Sequence, residues 1–182
     1  DGVPTEWLGM VRHTMTVLGQ KATSDRMVRE YVARLYTPAS EHATELRADD
    51  FALARELAAY TERVRAAWPS VHVASVDGAG IAQQPAAGDV LEVRAAVALD
   101  GLTAADVAVQ LVCGTTDAED AITGERTIVP LAASGDAVDG LTTFTGTVPL
   151  AVTGPFGYTV RVVPTHPQLV SDVELGLVTY AS

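Results

Sequence analysis

The hydrophobic pattern changes period once along the chain. Before Pro69 apolar residues recur at spacings of three and four; after it they tend to alternate. Trp7, Met10, Val11, Met15 and Leu18 make one helical stripe. Pro4 suits its first turn, where a missing N–H costs nothing, and Gly19 is its stop. A second helix is expected from the caps Ser24 and Asp25, with no full capping box. Met27, Val28, Tyr31, Leu35 and Tyr36 form its apolar face, and Arg26, Arg29, Glu30 and Arg34 line the other. Thr37-Pro38 should end it, because the residue before a proline is pushed out of helical geometry. A third helix is expected from near Asp49 to Trp68, carried by Phe51, Leu53, Leu57, Tyr60, Val64 and Trp68. Residues 39–48 have room for a helical turn of their own.

The second part reads as strands. Val71, Val73 and Val76 predict the first, Val90 to Leu99 the second, and Val107 to Cys113 the third. Thr127 to Leu131 predicts a short fourth strand and Leu141 to Leu150 a fifth. Phe156 to Val163 and Leu175 to Tyr180 complete the set. Turn signals stand at Asp77-Gly78, Asp100-Gly101, Asp139-Gly140 and Gly154-Pro155. The expected fold class is therefore α+β. A helical segment of about three helices, residues 1–69, precedes an antiparallel immunoglobulin-like β-sandwich of about seven strands, residues 70–182. The Cys-Trp-Cys core of antibody domains is missing, so the expectation concerns architecture alone.

Charge supports the same division. The chain has 182 residues and a formal net charge of -11, with 23 acidic residues against 12 basic ones. Nine of the 12 bases lie before residue 70, so the first part is nearly neutral and the second strongly acidic. An acidic chain cannot displace the counterions of nucleic acid, and an anionic membrane repels it. No nucleic-acid or membrane partner is expected. No apolar run approaches the length of a bilayer span, and nothing before Trp7 resembles a signal peptide, so the expected location is cytoplasmic.

Candidate chemistry is sparse. His13, His42, His72 and His166 are scattered, without metal-ligand spacing, and no metal site is expected. Cys113 ends an apolar strand in acidic surroundings, which suits a small core residue better than a nucleophile. Gly78-Ala-Gly80 lacks the third glycine and the following helix of a dinucleotide loop. Asp117, Glu119 and Asp120 match no calcium-loop spacing and read as a solvated loop. Acidic pairs are abundant, but spacing selects none for glycoside hydrolysis. Phe144, Phe156, Tyr158 and Tyr180 stand where strand alternation would bury them, so no stacking platform for a sugar is evident.

One segment is more particular. Lys21-Ala-Thr-Ser-Asp-Arg-Met-Val-Arg-Glu-Tyr31, followed by Arg34-Leu-Tyr36, resembles the last helical region of the α-glucan (glycogen, starch, maltodextrin) phosphorylases. The matching positions are Ser24, Asp25, Arg26, Met27, Val28, Glu30, Tyr31 and Tyr36. The preceding Trp7 to Leu18 helix is similar to that family's penultimate helix. The longer bacterial branch of the family is closer still. Its C-terminal extension resembles this chain at Gly154-Pro-Phe-Gly-Tyr158, Arg161, Pro164 and His166-Pro167.

The resemblance implies a C-terminal region that begins inside the last helices of the second glycosyltransferase-type domain. It also implies a parent enzyme that transfers glucosyl units from glucan to orthophosphate, with pyridoxal phosphate held as a Schiff base to lysine. That lysine has a Thr-Ser-Gly-Met-Lys context, whereas Lys21 stands in Gly19-Gln-Lys-Ala-Thr23. No catalytic, cofactor-binding or metal residue is therefore carried onto this chain, and it is expected to be inactive alone. Its implied partners are the remainder of the parent enzyme, α-glucan, or a second copy of itself. Trp68 is the expected anchor of the helices, and exposure of Trp7, Met10 or Tyr31 would mark a surface awaiting the parent. The competing expectation is a glycan-docking β-sandwich; an unrelated extracellular adhesion domain is a third.

Overall fold

The computed structural model describes residues 2, 4–19, 21, 23–79, 88–119, 121–135, 137–150 and 155–181. Gly80, Asp120 and Gly154, singled out above, lie outside the described residues. Two compact units meet at Arg55–Glu56, while the composition changes at Trp68-Pro69.

In the first unit α1 spans Thr5–Leu18 and α2 spans Ser24–Tyr31. The α2 cap is Thr23, one residue ahead of the expected Ser24; its side chain accepts a hydrogen bond from the Arg26 N–H at 3.3 Å. Two ion pairs one turn apart, Arg26–Glu30 and Asp25–Arg29, brace the polar side of α2.

The expected stop at Thr37-Pro38 is overturned. The chain continues through a π turn, Val32–Tyr36, into α3, Thr37–Ala67. At the turn the Thr37 N–H reaches back five residues to the Val32 carbonyl. This wider turn accommodates Pro38, which has no N–H to donate and would crowd a regular helix. The true interruption of α3 comes at Ala48–Phe51, where Ala48 is extended and Asp49, Asp50 and Phe51 take positive φ of 47°, 55° and 62°. The helix expected to start near Asp49 resumes after this break.

In the second unit, the end of α3 and a 3₁₀ turn, Trp68–Ser70, lead into strands. These are β1 His72–Ala79, β2 Val90–Ala98, β3 Val107–Thr116, β4 Ile122–Ala133, β5 Leu141–Pro149, β6 Phe156–Pro164 and β7 Thr179–Tyr180. All pairings are antiparallel, in the order β1-β2-β5-β4-β3-β6-β7. The immunoglobulin-like sandwich is replaced by one sheet that nearly closes into a barrel. Two observations account for the difference. β4 pairs with β3 along most of its length and then passes to β5 through Ala132 and Ala133, so the two layers are one sheet. At the opposite seam the Tyr158 hydroxyl of β6 lies where a side chain on Gly78 of β1 would begin, 2.2 Å from an added Cβ.

The expected turn at Asp77-Gly78 is therefore strand interior, and its glycine serves close approach rather than reversal. The other Asp-Gly pairs are turns. Asp139 and Gly140 both have positive φ, and Val138 and Leu141 exchange hydrogen bonds across them at 3.0 and 2.9 Å. β4 is longer than the expected Thr127–Leu131. Thr123 to Ile128 are exposed, so this stretch has backbone pairing without apolar alternation. β7 is shorter than expected, because Leu175 and Leu177 pack on the core from an irregular segment.

The core explains the period-two reading. In β2, Leu91, Val93, Ala95 and Val97 are buried, while Glu92 and Arg94 between them are exposed. β3 and β6 contribute Val109, Leu111, Val160 and Val162 to the same interior. Tyr60 and Val64 near the end of α3, and Trp68 at the start of the 3₁₀ turn that follows it, are spaced four apart and bury their side chains in that cluster. Among the described residues no helix is long and apolar enough to cross a membrane.

Candidate functional site

Among the described residues, a connected polar constellation lies where the end of α3 meets the sheet. The Tyr60 hydroxyl donates to the Asp106 backbone carbonyl at 2.8 Å, and the Thr165 N–H donates to the same oxygen at 3.0 Å. The Asp106 carboxylate accepts from the Thr103 N–H and hydroxyl, both at 2.8 Å, and from the Arg63 guanidinium. The same guanidinium lies 5.7 Å from the centre of the Tyr60 ring. On Tyr60 packs His166, with ring centres 4.6 Å apart. His166 Nδ1 accepts from the Gln168 N–H at 3.2 Å, which assigns any proton of the neutral ring to Nε2, 3.8 Å from Glu56.

These environments shift two ionisations. Burial, followed by the negative charge of Asp106, pushes the Tyr60 hydroxyl up to about 12. Burial alone would raise Asp106, but the hydrogen bonds from Thr103 and Arg63 outweigh it and hold the carboxyl below its ordinary value. The arrangement joins one helix to two loops, and the carboxylate oxygens face donors rather than an open substrate position. Its chemistry is that of a structural lock.

The other motif residues serve the same end. Arg161 Nε donates to Gln110 Oε1 at 2.8 Å, and Gln110 Nε2 donates to Asp172 at 2.7 Å, tying β6, β3 and the segment before β7 together. Pro164 is fully buried. Gly157 leaves room for Thr116, whose Cγ2 lies 2.5 Å from an added Cβ. The signature Phe156 to Pro167 thus reads in space as a set of packing and bonding points on β6.

The remaining candidates are dispersed. Cys113 is buried, its thiol pushed up by that burial, 3.7 Å from the Thr127 carbonyl. Asp117 accepts from the N–H groups of Glu119 and Ala121, closing the β3–β4 hairpin. Among the described residues no group of three or more His, Cys, Asp or Glu could hold a metal. Lys21 is exposed on the turn after α1, bonded through its N–H to Leu18. Phe144 is buried, and Phe156 and Tyr158 are partly so. Tyr180, expected to be buried, is 51% exposed because β7 is a two-residue edge opposite Arg161.

The helical unit carries a different surface. None of the described residues of Asp1–Arg55 is buried. Trp7, Met10, Met15, Met27, Tyr31, Leu35 and Tyr36 all stand exposed, and Trp7, Met10, Val11, Thr14 and Met15 line a groove of about 370 Å³. The helical stripe was legible in the sequence. The Asp106 lock was missed, although an acid directly before the apolar run Val107–Val109 was a signal for it.

Known proteins give the arrangement a family. Residues 68–182 match the family model "Glycogen phosphorylase C-terminal domain". A glycogen phosphorylase of Mycobacterium tuberculosis is 45% identical over 180 residues, 99% of this chain and 21% of that protein. One from Mycobacterium bovis is 44% identical over the same length. A maltodextrin phosphorylase of Thermococcus litoralis is 28% identical over 108 residues, 59% of this chain and 12% of that protein. No solved structure matches. The chain spans about a fifth of the length of the glycogen phosphorylases it matches. It belongs to the glycogen phosphorylase C-terminal domain family.

Proposed function

We propose that this chain is the noncatalytic C-terminal region of a cytoplasmic α-1,4-glucan phosphorylase, whose full-length enzyme uses pyridoxal phosphate to transfer glucosyl units to orthophosphate. The region serves interdomain packing. Its helices lay their apolar face on the preceding part of the polypeptide, and its sheet domain, locked to the end of α3, supports that contact. One observation carries the reading: large apolar side chains from Trp7 to Tyr36 are exposed in a chain that matches a fifth of its relatives. Apolar surface on this scale marks an interface.

The test is complementation. The upstream portion of the parent enzyme, co-expressed with this chain, should co-purify with it and release glucose 1-phosphate from glycogen. A chain carrying Met10→Lys and Met15→Lys should fold but fail to co-purify. Phosphorolysis by this chain alone would overturn the proposal, as would full activity of the upstream portion without it.

A further inference from the structure

We propose that His166 is a pH-sensitive latch on the segment between β6 and β7: protonation of its ring, between about pH 8 and pH 5, opens the turn that carries Leu169 onto the core. The turn runs from His166 to Leu169. The Leu169 N–H donates to the His166 carbonyl at 3.0 Å, and Pro167 takes the second position, where its fixed φ suits a turn. The ring makes a second bond, with Nδ1 accepting from the Gln168 N–H at 3.2 Å. The ring is itself held in place. Its side chain is 11% exposed, it packs on Tyr60 with centres 4.6 Å apart, and Nε2 stands 3.8 Å from Glu56. Just before the turn, the Thr165 N–H is tied to the Asp106 carbonyl and Pro164 is buried.

The two ring nitrogens face opposite demands. A neutral imidazole accepts at one nitrogen and donates at the other, which suits both neighbours; an imidazolium only donates. The added proton goes to Nδ1 and sets one N–H against the N–H of Gln168. Turning the ring over presents a carbon to that amide instead, so no orientation of the charged ring restores the bond. Glu56 meanwhile attracts the imidazolium through Nε2. Protonation therefore strengthens the ring's hold on α3 and removes its hold on the turn. The other ionisable groups on the elements that meet here are engaged elsewhere. Arg63 pairs with Asp106, and the Tyr60 hydroxyl donates to a backbone carbonyl. Arg161 and Asp172 are bonded to Gln110, and Glu174 accepts from the Val170 N–H at 2.7 Å. From this segment Leu169, Leu175 and Leu177 pack on the core. Acid thus loosens their attachment at its first point while the sheet beneath keeps its own pairing.

Ring and amide resonances of the isotopically labelled 182-residue chain, followed from about pH 8 to pH 5, test the latch. The Gln168 amide should shift with the same midpoint as the His166 ring. Its protection from hydrogen exchange, corrected for the intrinsic effect of pH, should fall about fivefold, as loss of one ordinary hydrogen bond allows. His166→Asn supplies a carbonyl that accepts the same N–H without titrating, so its protection should stay constant across the range. His166→Phe keeps a ring on Tyr60 but offers no acceptor, and its Gln168 amide should be poorly protected at both ends. Glu56→Gln should move the midpoint to lower pH and leave the two signals coupled. A ring that titrates while the Gln168 amide stays unchanged would overturn the proposal. So would an equal acid loss of protection in His166→Asn, or a ring that remains neutral throughout.

Discussion

Tyr60 on α3 and the Asp106 carbonyl just before β3 are joined by a hydrogen bond of 2.8 Å between positions 46 residues apart. The bond fixes the helix end to the sheet with an oxygen that also receives the Thr165 N–H. Tyr60→Phe removes the donor and leaves the ring, so His166 keeps its packing partner. The expected cost is about 1 kcal/mol, the ordinary net worth of such a bond, because Thr165 still satisfies the acceptor. Denaturant unfolding of both proteins measures it.

The same tyrosine predicts an alkaline limb. Its hydroxyl titrates near 10 when unfolded and at about 12 when folded. A raised folded value means that its contribution is complete below pH 10 and is lost as pH climbs toward 12. Stability should therefore fall more steeply across that window in the natural chain than in Tyr60→Phe. Parallel slopes would show that the hydroxyl ionises as freely in the folded state.

Asp106 predicts the opposite limb. Its carboxyl is held below its ordinary value by Thr103 and Arg63, against the effect of burial. A depressed folded value contributes stability above the unfolded pKa, and that contribution disappears as pH falls through the folded one. Asp106→Asn should lower stability at pH 7 by about 2 kcal/mol, since hydrogen bonds to a charged acceptor are lost or weakened. The difference from the natural chain should shrink below pH 4. Arg63→Ala should cost less, because the Arg63 side chain is 53% exposed and its pairing is partly screened.

These side chains show what the linear pattern could and could not carry. Alternation in Leu91–Val97 and the helical stripe through Tyr60, Val64 and Trp68 reflect local geometry, and both were legible. Closure of the sheet was not, because it depends on β4 changing partners at Ala132 and on Tyr158 meeting Gly78. Neither event leaves a periodic trace. The helix through Pro38 was hidden for a related reason: a π turn changes the bonding reach of the backbone without changing residue spacing.

The two tryptophans should report on different surroundings. Trp7 is 56% exposed in the helical unit, and Trp68 is 8% exposed in the core. Emission from Trp68→Phe, which retains Trp7, should lie to the red of emission from Trp7→Phe. Trp68 Nε1 is buried without a hydrogen-bond partner among the described residues. Replacing it by Phe therefore sacrifices packing alone, whereas Trp68→Ala should cost about 3–5 kcal/mol through the cavity it leaves. Trp7→Ala should leave the melting temperature of the isolated chain nearly unchanged.

The seam between β1 and β6 can be tested by adding one methyl group. A Cβ at Gly78 would stand 2.2 Å from the Tyr158 hydroxyl and 3.0 Å from the ring carbon that bears it. Gly78→Ala must displace Tyr158, and with it the group that covers this stretch of β1. The expected loss is about 1–3 kcal/mol, the usual cost of overfilling a packed position. Tyr158→Ala empties the space, so in that background Gly78→Ala should cost almost nothing. The coupling measured by the four proteins of this cycle should exceed about 1 kcal/mol. Additive losses would mean that Tyr158 does not close the seam, and that β1 and β6 are held together by the core alone.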